Sequence, residues 1–482
     1  MTSADKISVR DGLLAMIRNG SKMTLRQQLH LTVVLSIPAI LAQLSAIIMQ
    51  YIDAAMVGSL GTEASASIGL MATSTWLFWG LCTATAVGFS VQVAHRIGAS
   101  DMKGARSVMR QSFVVTLVFS SLLAIVGVAV SGFLPRWLGG GPEIVGDAST
   151  YFAIFAAWLP AAQFFYLAGA MLRCSGNTFV PGMANIAVCL LDVVFNFFLI
   201  FPTRELTIGS LELTMPGAGL GVTGAAIGTG LAEFCGGVYL MWYLCWRNRD
   251  LNLRGRRGSF RPTRECLRRA FNIGAPIGAE HLLMCGAQVL TTVIVAPLGA
   301  VAIAANAFAV TAESLCYMPG YGISEAATTL VGQSLGAARK ALARRFAYIT
   351  VISGITIMSI MGVVMYFGAP LMMGIITPVA EICQMGVEVL RIEAWAEPMF
   401  AASIVAYGVF VGAGDTLVPC GMNLASIWGV RLTLAALLAP TMGLQGVWLA
   451  MAIELGFRGA IFLWRLRGNS WINRYVAPQQ HT

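Results

Sequence analysis

Twelve long apolar runs dominate this sequence and decide what the chain can fold into. A helix needs about 20 mostly apolar residues to cross a bilayer. The chain has 482 residues, of which 57% are hydrophobic and only 11% are charged, and a soluble chain with this composition would aggregate. We therefore predict an all-α polytopic membrane protein. The predicted spans cover residues 33–58, 66–94, 111–134, 148–172, 180–201, 217–245, 272–297, 303–331, 346–370, 386–411, 420–440 and 443–464.

The positions of the basic residues predict the orientation of these spans. With a cytoplasmic N-terminus, 26 of the 31 Lys and Arg residues lie in cytoplasmic segments, and only Arg136 and Arg204 lie in outer loops. Cytoplasmic enrichment of basic residues is the rule for polytopic proteins. We therefore predict a multi-pass protein of the bacterial inner (plasma) membrane with both termini in the cytoplasm. The net charge of +9 then reflects membrane orientation, and we predict no nucleic-acid partner.

An internal repeat divides the chain into two halves of six spans. Matching segments keep one offset of 238 residues over five helices, and these are Pro38 with Pro276, Leu60-Gly61 with Leu298-Gly299, Ile97-Gly98-Ala99 with Leu335-Gly336-Ala337, and Cys174–Pro181 with Gly412–Pro419. Because six spans is an even number, both halves enter and leave on the same side. The repeats are therefore parallel, an arrangement typical of transporters whose two halves rock around a central path.

The repeat and the charge pattern together predict the domain organisation. The predicted segments are a cytoplasmic N-terminal segment (1–32), an N-lobe (33–245), a basic cytoplasmic linker (246–271), a C-lobe (272–466) and a cytoplasmic tail (467–482).

Acidic residues inside the first-half spans are the leading candidates for function, because an ionised side chain inside a membrane is costly. Asp53 lies near the end of the first span. Asp192 and Asn196 lie one turn apart on the fifth, and Thr229 and Glu233 lie one turn apart on the sixth. Such an oxygen-rich cluster suits proton transfer or the binding of a hard cation. The structural alternative is that these polar groups only satisfy one another and hold helices together.

The second half carries different acidic residues. Glu280, Glu393 and Glu397 are candidates for a substrate cavity or for secondary coupling, with pairing to arginine as the alternative. Glu454 and Arg458 are spaced for an intrahelical ion pair, whereas Arg431 needs an acidic partner, for which Glu393 and Glu397 are the candidates.

The sequence offers little support for enzymatic chemistry. The ten cysteines stand singly, without a Cys-x-x-Cys pair, and the four histidines are dispersed. We predict no metal site, no cofactor and no enzymatic activity.

Several motifs resemble the multidrug and toxic compound extrusion (MATE) family. They are the run from Pro38 to Gly61, Arg96-Ile-Gly-Ala99, Val331–Ala337 and Gly412–Thr416, and the resemblance covers about residues 33 to 468. It implies twelve helices in two pseudo-symmetric six-helix bundles that form a V around a central cavity. It also implies secondary active export of organic, mostly cationic and amphipathic compounds against H⁺ or Na⁺.

Within this family, the residues resemble the DinF-like branch more than the NorM-like branch. The first-helix aspartate of the DinF-like branch corresponds to Asp53, its fifth-helix pair to Asp192 and Asn196 in swapped order, and its sixth-helix threonine to Thr229. The second-half acids of the NorM-like branch fall at Met284 and Phe400. The resemblance therefore implies coupling through the first half, and we favour H⁺ as the coupling ion.

The function predicted from sequence is thus a multidrug antiporter that moves small drug-like molecules across a bilayer as a monomer. The alternative is a flippase for lipid-linked or polysaccharide precursors from the same wider superfamily. The acidic character of the intramembrane charges favours cationic cargo and hence the antiporter.

Overall fold

The computed structural model describes residues 3–208 and 211–475, which form long helices and one small hairpin. A short helix, α1 (Ser3–Arg18), precedes the first span. The N-lobe then consists of α2 (Leu25–Gly58), α3 (Thr62–Gly98), α4 (Met102–Ser131), the short α5 (Leu134–Trp137), α6 (Pro142–Cys174), α7 (Phe179–Ile200) and α8 (Gly221–Trp242).

The C-lobe repeats this arrangement with two irregular spans. It consists of α9 (Arg264–Val295), α10 (Ala300–Gly336), α11 (Lys340–Ile376), α12 (Ala380–Ala394), α13 (Glu397–Gly412), α14 (Leu417–Leu424), α15 (Leu432–Met442), α16 (Leu444–Arg467) and the short α17 (Ser470–Asn473). Helices α12 and α13 are one broken span with a 60° bend. Pro398 lies in the first turn of α13. Because proline has no N–H, it cannot donate the hydrogen bond that would continue α12 across the break. A π-helical turn, Ala425–Arg431, joins α14 to α15.

Most of the predicted spans are long and apolar enough to cross a membrane. By length and composition, ten helical segments of the described chain qualify, and the bent pair α12–α13 makes eleven. The one predicted span that does not meet this test is the sixth, which corresponds to α8; this helix is rich in glycine and carries Glu233. It nevertheless packs inside the N-lobe against α6 and α7, so the six-helix half is complete.

The helix boundaries follow local capping. Thr24 and Gln27 form a capping box at the start of α2, and Thr263 caps α9. Both helices therefore begin about two turns before the apolar runs that were predicted from hydropathy. The connection from α3 to α4 passes through Ser100 (φ 60°), and its repeat partner Ala338 also has positive φ (57°). The repeat is thus preserved in backbone conformation.

The two lobes meet along α2 with α10 and along α3 with α9. At one end of this contact α3 and α10 cross at Gly98 and Gly336. A Cβ atom on either glycine would overlap the backbone of the opposite helix, at Gln333 or His95. Only glycine permits this approach, and the repeat places one on each helix.

The same end holds the basic segments 95–110, 246–271 and 332–345, and we call it the basic end. Inter-lobe hydrogen bonds concentrate there. Gln333 Nε2 donates to Cys174 O (2.7 Å), and His95 Nε2 lies 2.8 Å from Gly412 O. Arg173 pairs with Glu325 across the lobes at 3.3 Å. The lobes are therefore closed against each other at the basic end.

Helix α1 also joins the lobes at the basic end. Arg18 forms an ion pair with Asp250 of the N-lobe side (2.9 Å), and Arg10 donates to Asn177 (3.2 Å). On the C-lobe side, Arg339 donates to the carbonyls of Met16 and Ile17. The segment predicted as a cytoplasmic N-terminal extension is thus a docked helix over its described part.

A two-stranded antiparallel hairpin departs from the all-helical prediction. Strands β1 (Pro202–Ile208) and β2 (Leu211–Ala218) pair between α7 and α8. The β-branched residues of this segment, such as Thr207 and Ile208, favour strand over helix. The sixth span consequently starts at Gly221, later than the predicted residue 217.

The arginine partners in the C-lobe also differ in part from the prediction. Glu454 pairs with Arg458 (2.8 Å), which confirms the intrahelical pair. Glu454 also pairs with Arg431 (2.7 Å), so the expectation that Glu393 or Glu397 would serve Arg431 is wrong. Arg431 is the last residue of the π-helical turn, and its guanidinium contacts Glu454 on α16.

Candidate functional site

The predicted N-lobe residues converge into one polar cluster. The Asn196 amide on α7 donates to Asp53 Oδ1 on α2 (2.9 Å) and to Asp192 Oδ2 one turn earlier on α7 (3.1 Å). The Asp53 and Asp192 carboxyl groups also lie within hydrogen-bonding reach of each other. We call Asp53, Asp192, Asn196 and Thr229 the N-lobe cluster.

Burial distinguishes the members of the N-lobe cluster. Asp192 and Asn196 are fully buried, whereas Asp53 and Thr229 are half-buried. Thr229 on α8 lies beside the Asp192 carboxyl. Among the described residues, Asp192 Oδ1 and Asn196 Oδ1 find no hydrogen-bond partner. A buried polar atom without a partner is rare and costly.

A glycine on α8 makes room for the cluster. A Cβ atom at Gly228 would overlap Asn196 Oδ1. The absence of a side chain at Gly228 therefore lets Asn196 reach both carboxyl groups. The predicted sequence motif Gly224–Thr229 contains this glycine, but the sequence alone did not indicate its role.

The N-lobe cluster has no basic partner in the described part of the chain. None of the ion pairs between described residues includes Asp53, Asp192 or Glu233. Two adjacent carboxylates repel each other unless a proton or a cation lies between them. The carboxylate, amide and hydroxyl oxygens are ligands that hard cations prefer. The arrangement can therefore hold either a proton or a small cation.

Glu233 adjoins this cluster but has its own partner. The Tyr166 hydroxyl donates to Glu233 Oε1 at 2.8 Å, and the Tyr166 ring stacks edge-on against Trp79 with ring centroids 5.5 Å apart. Glu233 is near enough to Asp192 for their charges to interact. Sequence reasoning missed Tyr166 as the partner, because it lies on a different helix, α6.

The structure separates Glu280 from the other C-lobe acids. Glu280 Oε2 accepts from the Tyr407 hydroxyl at 2.6 Å, and Glu280 Oε1 accepts from the Asn423 amide at 2.7 Å. Neither partner was predicted as a site residue. Asn423 stands at the repeat position of Asn185, and this match at the 238-residue offset is the sequence signal that could have found it.

Glu393 and Glu397 form a second buried acidic group in the C-lobe. Both are fully buried, and none of their four carboxyl oxygens has a hydrogen-bond partner among the described residues. Glu313 on α10 lies close enough to interact with both charges, and Arg431 lies near Glu313 and Glu393. Unlike the N-lobe cluster, this group has an internal cation nearby.

Other chemical arrangements find no support in the part of the chain that the structure describes. No group of three His, Cys, Asp or Glu side chains there could hold a metal ion. The run Gly332–Gly336 matches Gly-x-Ser-x-Gly, but it lies inside α10. A nucleophilic serine in that motif needs a strand-to-helix turn, so Ser334 lacks the required context.

Two six-helix lobes that close at one end, with buried acids in both, define the class of secondary membrane transporter. Comparison with known proteins supports this class. The family model described as MatE matches residues 38–198 and 276–437, one match in each lobe. The chain belongs to the MatE family, whose members are transporters and not enzymes.

Similar curated proteins include bacterial ones. The chain is 24% identical over 456 residues to a probable multidrug resistance protein NorM of Thermotoga maritima, covering 92% of this chain and 94% of the relative. It is 28% identical over 424 residues to the protein of the same description from Pseudomonas aeruginosa, covering 86% and 84%.

Solved structures share the fold. A MOP superfamily transporter from Pyrococcus furiosus superposes with a TM-score of 0.84 at 22% identity, covering 93% of this chain and 97% of that one. A mutant of the Vibrio cholerae MATE transporter VcmN gives a TM-score of 0.82 at 18% identity, covering 93% and 99%. The predicted twelve-helix MATE-like fold is thereby confirmed.

Proposed function

We propose that this protein exports organic, mostly cationic and amphipathic compounds by antiport against an inward flow of H⁺ or Na⁺. The relatives described as probable multidrug resistance proteins support the drug-like cargo. The N-lobe cluster, an acid pair with no basic partner of its own, supports coupling to a cation. That cluster is the single observation that carries the proposal.

The geometry of the N-lobe cluster supports a division of roles. Asp53 is half-buried and is the group that the arriving cation meets first. Asp192 and Asn196 are fully buried, and each has an oxygen free to receive the cation. Thr229 adds a hydroxyl beside Asp192. A cation held here neutralises the acid pair and lowers the attraction of the lobe for a cationic cargo, which links the two fluxes.

We favour H⁺ as the coupling ion. Two carboxyl groups within reach of each other can share a proton without rearrangement. Na⁺ would instead use the unpartnered oxygens of Asp192 and Asn196 as ligands. The transport assay described below distinguishes the two ions, because only coupling to Na⁺ makes transport depend on added Na⁺.

The remaining predicted acids have supporting roles in the proposal. We place Glu233, Glu280, Glu393 and Glu397 on the substrate cavity or in secondary coupling. Glu280 is held by two neutral donors, and Glu393 and Glu397 are buried without hydrogen-bond partners among the described residues. Because an unpaired carboxylate is costly inside a protein, burial supports the binding of a proton or of a cationic cargo by these acids.

The proposed cycle moves the lobes as two units. We take residues 33–245 and 272–466 as these units, 246–271 as their linker, and 1–32 and 467–482 as cytoplasmic ends. The basic end then faces the cytoplasm of a bacterial inner membrane, in keeping with the positive-inside rule. A monomer contains both lobes and suffices for the cycle.

The first test is export of a fluorescent lipophilic cation by cells or by energised inverted vesicles, with and without Na⁺. Wild-type protein is compared with Asp53→Asn and with Thr291→Val, the control at the same repeat position in the C-lobe. We expect transport by the wild type and the control, and none by Asp53→Asn. Dependence on Na⁺ would identify that ion, and its absence would support H⁺.

Two outcomes contradict the proposal. Unchanged transport by Asp53→Asn would move coupling to Glu280, Glu393 or Glu397. No transport by wild-type protein that is folded and inserted would contradict drug export and favour the flippase alternative.

A further inference from the structure

Two of the hydrogen bonds that close the basic end obey the internal repeat. His95 Nε2 on α3 lies 2.8 Å from Gly412 O, and Gln333 Nε2 on α10 donates to Cys174 O at 2.7 Å. The two side chains are 238 positions apart in the sequence, and so are the two carbonyl groups. The lobes are therefore held together by one closing contact that is made twice, in opposite directions.

One contact between the lobes breaks the repeat. Arg173 Nε on α6 lies 3.3 Å from Glu325 Oε2 on α10. The repeat positions of these two residues are Val411 and Val87, so the sequence contains no second copy of the pair. The ion pair is therefore an addition to the symmetric closing contacts, and it needs an explanation of its own.

Both oxygens of the Glu325 carboxylate contact the N-lobe. Glu325 Oε1 accepts from Gln43 Nε2 on α2 at 3.2 Å, and Glu325 Oε2 faces the Arg173 guanidinium. Helices α2 and α6 belong to the N-lobe, whereas Glu325 lies on α10 of the C-lobe. Separation of the lobes at the basic end, which the proposed cycle requires, removes both partners at once. The carboxylate then lacks a counter-charge within a membrane-spanning helix, which is costly.

An aromatic ring lies next to this carboxylate on the same helix face. Tyr321 is one turn before Glu325 and is 43% exposed. Its ring contacts the ring of Tyr317, with centroids 6.0 Å apart, and it lies near enough to Glu280 on α9 for an electrostatic interaction. An aromatic face beside a carboxylate suits an organic cation with an apolar body.

The ion pair is not sealed inside the protein. The side chain of Arg173 is 21% exposed, and that of Glu325 is 27% exposed. Glu393 and Glu397 in the same lobe are fully buried. Glu325 is thus an acid of the C-lobe that a ligand can reach from outside the protein.

We propose that Glu325 binds the charged group of a cationic, amphipathic cargo that enters from the cytoplasm, and that the Arg173 guanidinium displaces this cargo when the lobes close at the basic end. Tyr321 contacts the apolar part of the same cargo. Cargo and guanidinium compete for one carboxylate, so each is bound in only one arrangement of the lobes, and closure is linked to release. The inference rests on the proposed drug export and names the residues that load the cargo.

The first test measures binding of the fluorescent lipophilic cation to purified protein in nanodiscs by fluorescence anisotropy. Glu325→Gln keeps the size of the side chain but removes its charge, so the Kd should rise about tenfold, as for the loss of a charge-assisted hydrogen bond. Arg173→Gln removes the internal competitor. Its Kd should fall about fivefold, because the carboxylate is then free in a larger fraction of the protein.

The control is Thr329→Val. The Thr329 hydroxyl donates to Arg173 O across the lobes at 3.1 Å, so this variant weakens the contact between the lobes but leaves the Glu325 carboxylate and the Arg173 guanidinium in place. We expect its Kd to equal that of the wild type. Thermal unfolding of each variant near that of the wild type shows that the protein is folded.

The direction of the two changes distinguishes a cargo site from a simple latch. If Arg173 and Glu325 only held the lobes together, either variant would loosen the same closed arrangement, and both would change the Kd in the same direction. Changes in the same direction, or an unchanged Kd in Glu325→Gln, would overturn the proposal.

Transport assays separate this inference from the proposed function. Glu325→Gln should raise the KM for the fluorescent cation about tenfold and keep the wild-type response to H⁺ or Na⁺, because the N-lobe cluster is intact. Transport by the wild type with an unchanged KM in Glu325→Gln would contradict the loading site alone. No transport by folded wild-type protein would contradict the proposed function itself.

Discussion

The two lobes share one architecture but place their acidic groups at different levels. Asp53 on α2 corresponds through the 238-residue repeat to Thr291, and Asp192 corresponds to Val430. Conversely, Glu280 corresponds to Ala42, and its partner Tyr407 corresponds to Gly169. Glu280 therefore lies 11 positions closer to the basic end than the repeat partner of Asp53, which is about 16 Å along a helix.

The lobes also differ in how they balance buried charge. In the N-lobe cluster, two aspartates share one asparagine and no arginine. In the C-lobe, Arg431 and Arg458 both pair with Glu454, and Arg431 lies near Glu313 and Glu393. A lobe that supplies its own cations needs fewer from solution. In the proposed mechanism, the N-lobe therefore carries most of the cation coupling, and the C-lobe charges have a more structural role.

After Asp53→Asn, the largest effect on transport is expected from Asp192→Asn. It removes one charge of the N-lobe cluster but keeps the size of the side chain. Loss of a buried ligand should reduce export of the fluorescent cation by about 10- to 100-fold. The control is Val430→Ala at the matching C-lobe position. Export by Asp192→Asn within twofold of wild type would contradict N-lobe coupling.

The largest effect on stability is expected from Glu454→Gln. It leaves Arg431 and Arg458 without their carboxylate, and breaking a buried ion pair costs roughly 3–5 kcal/mol. Thermal unfolding in detergent should show a clearly lower Tm. Glu388→Gln, at a half-exposed glutamate of the same lobe that bonds to Gln445, should change it little. Equal Tm values for the two variants would contradict the structural role of the C-lobe charges.

An intermediate effect is expected from Gly228→Ala. The added methyl group overlaps Asn196 and displaces its amide from the two carboxyl groups. Export should fall about tenfold, as expected when a supporting contact of an ion site is lost. The control is Gly69→Ala on α3, where a Cβ atom meets open space. If the two variants export equally, the Asn196 bridge does not matter for coupling.

The smallest effects are expected from a matched pair of tyrosine variants. Tyr166→Phe and Tyr407→Phe each remove one phenol–carboxylate hydrogen bond, to Glu233 and Glu280 respectively. A single hydrogen bond is worth about 1 kcal/mol, so changes in export of about two- to fivefold are expected. Tyr166→Phe should be the more impaired variant. The reverse order would indicate that the C-lobe acid Glu280 matters more for export than the N-lobe acid Glu233.

Several features of the site were predictable from local sequence. Asp192 and Asn196 were assigned to one face because residues four apart on a helix share a face, and the structure places them 3.1 Å apart. The Glu454–Arg458 pair followed from the same spacing. Contacts between different helices were harder to predict from the sequence. Asp53 was grouped with α7 only by the resemblance and by the cost of its charge, and the partners of Glu280 and Glu233 were not anticipated.

The sequence by itself determined the membrane class, the two parallel halves and the general location of the acids, because hydropathy, charge bias and a constant repeat offset are properties of the chain alone. Only the tertiary structure decided that Arg431 pairs with Glu454, that Gly228 makes room for Asn196, and that Arg173 of the N-lobe pairs with Glu325 of the C-lobe. These outcomes depend on how each helix is rotated about its axis and where it breaks, and packing across the whole lobe sets both.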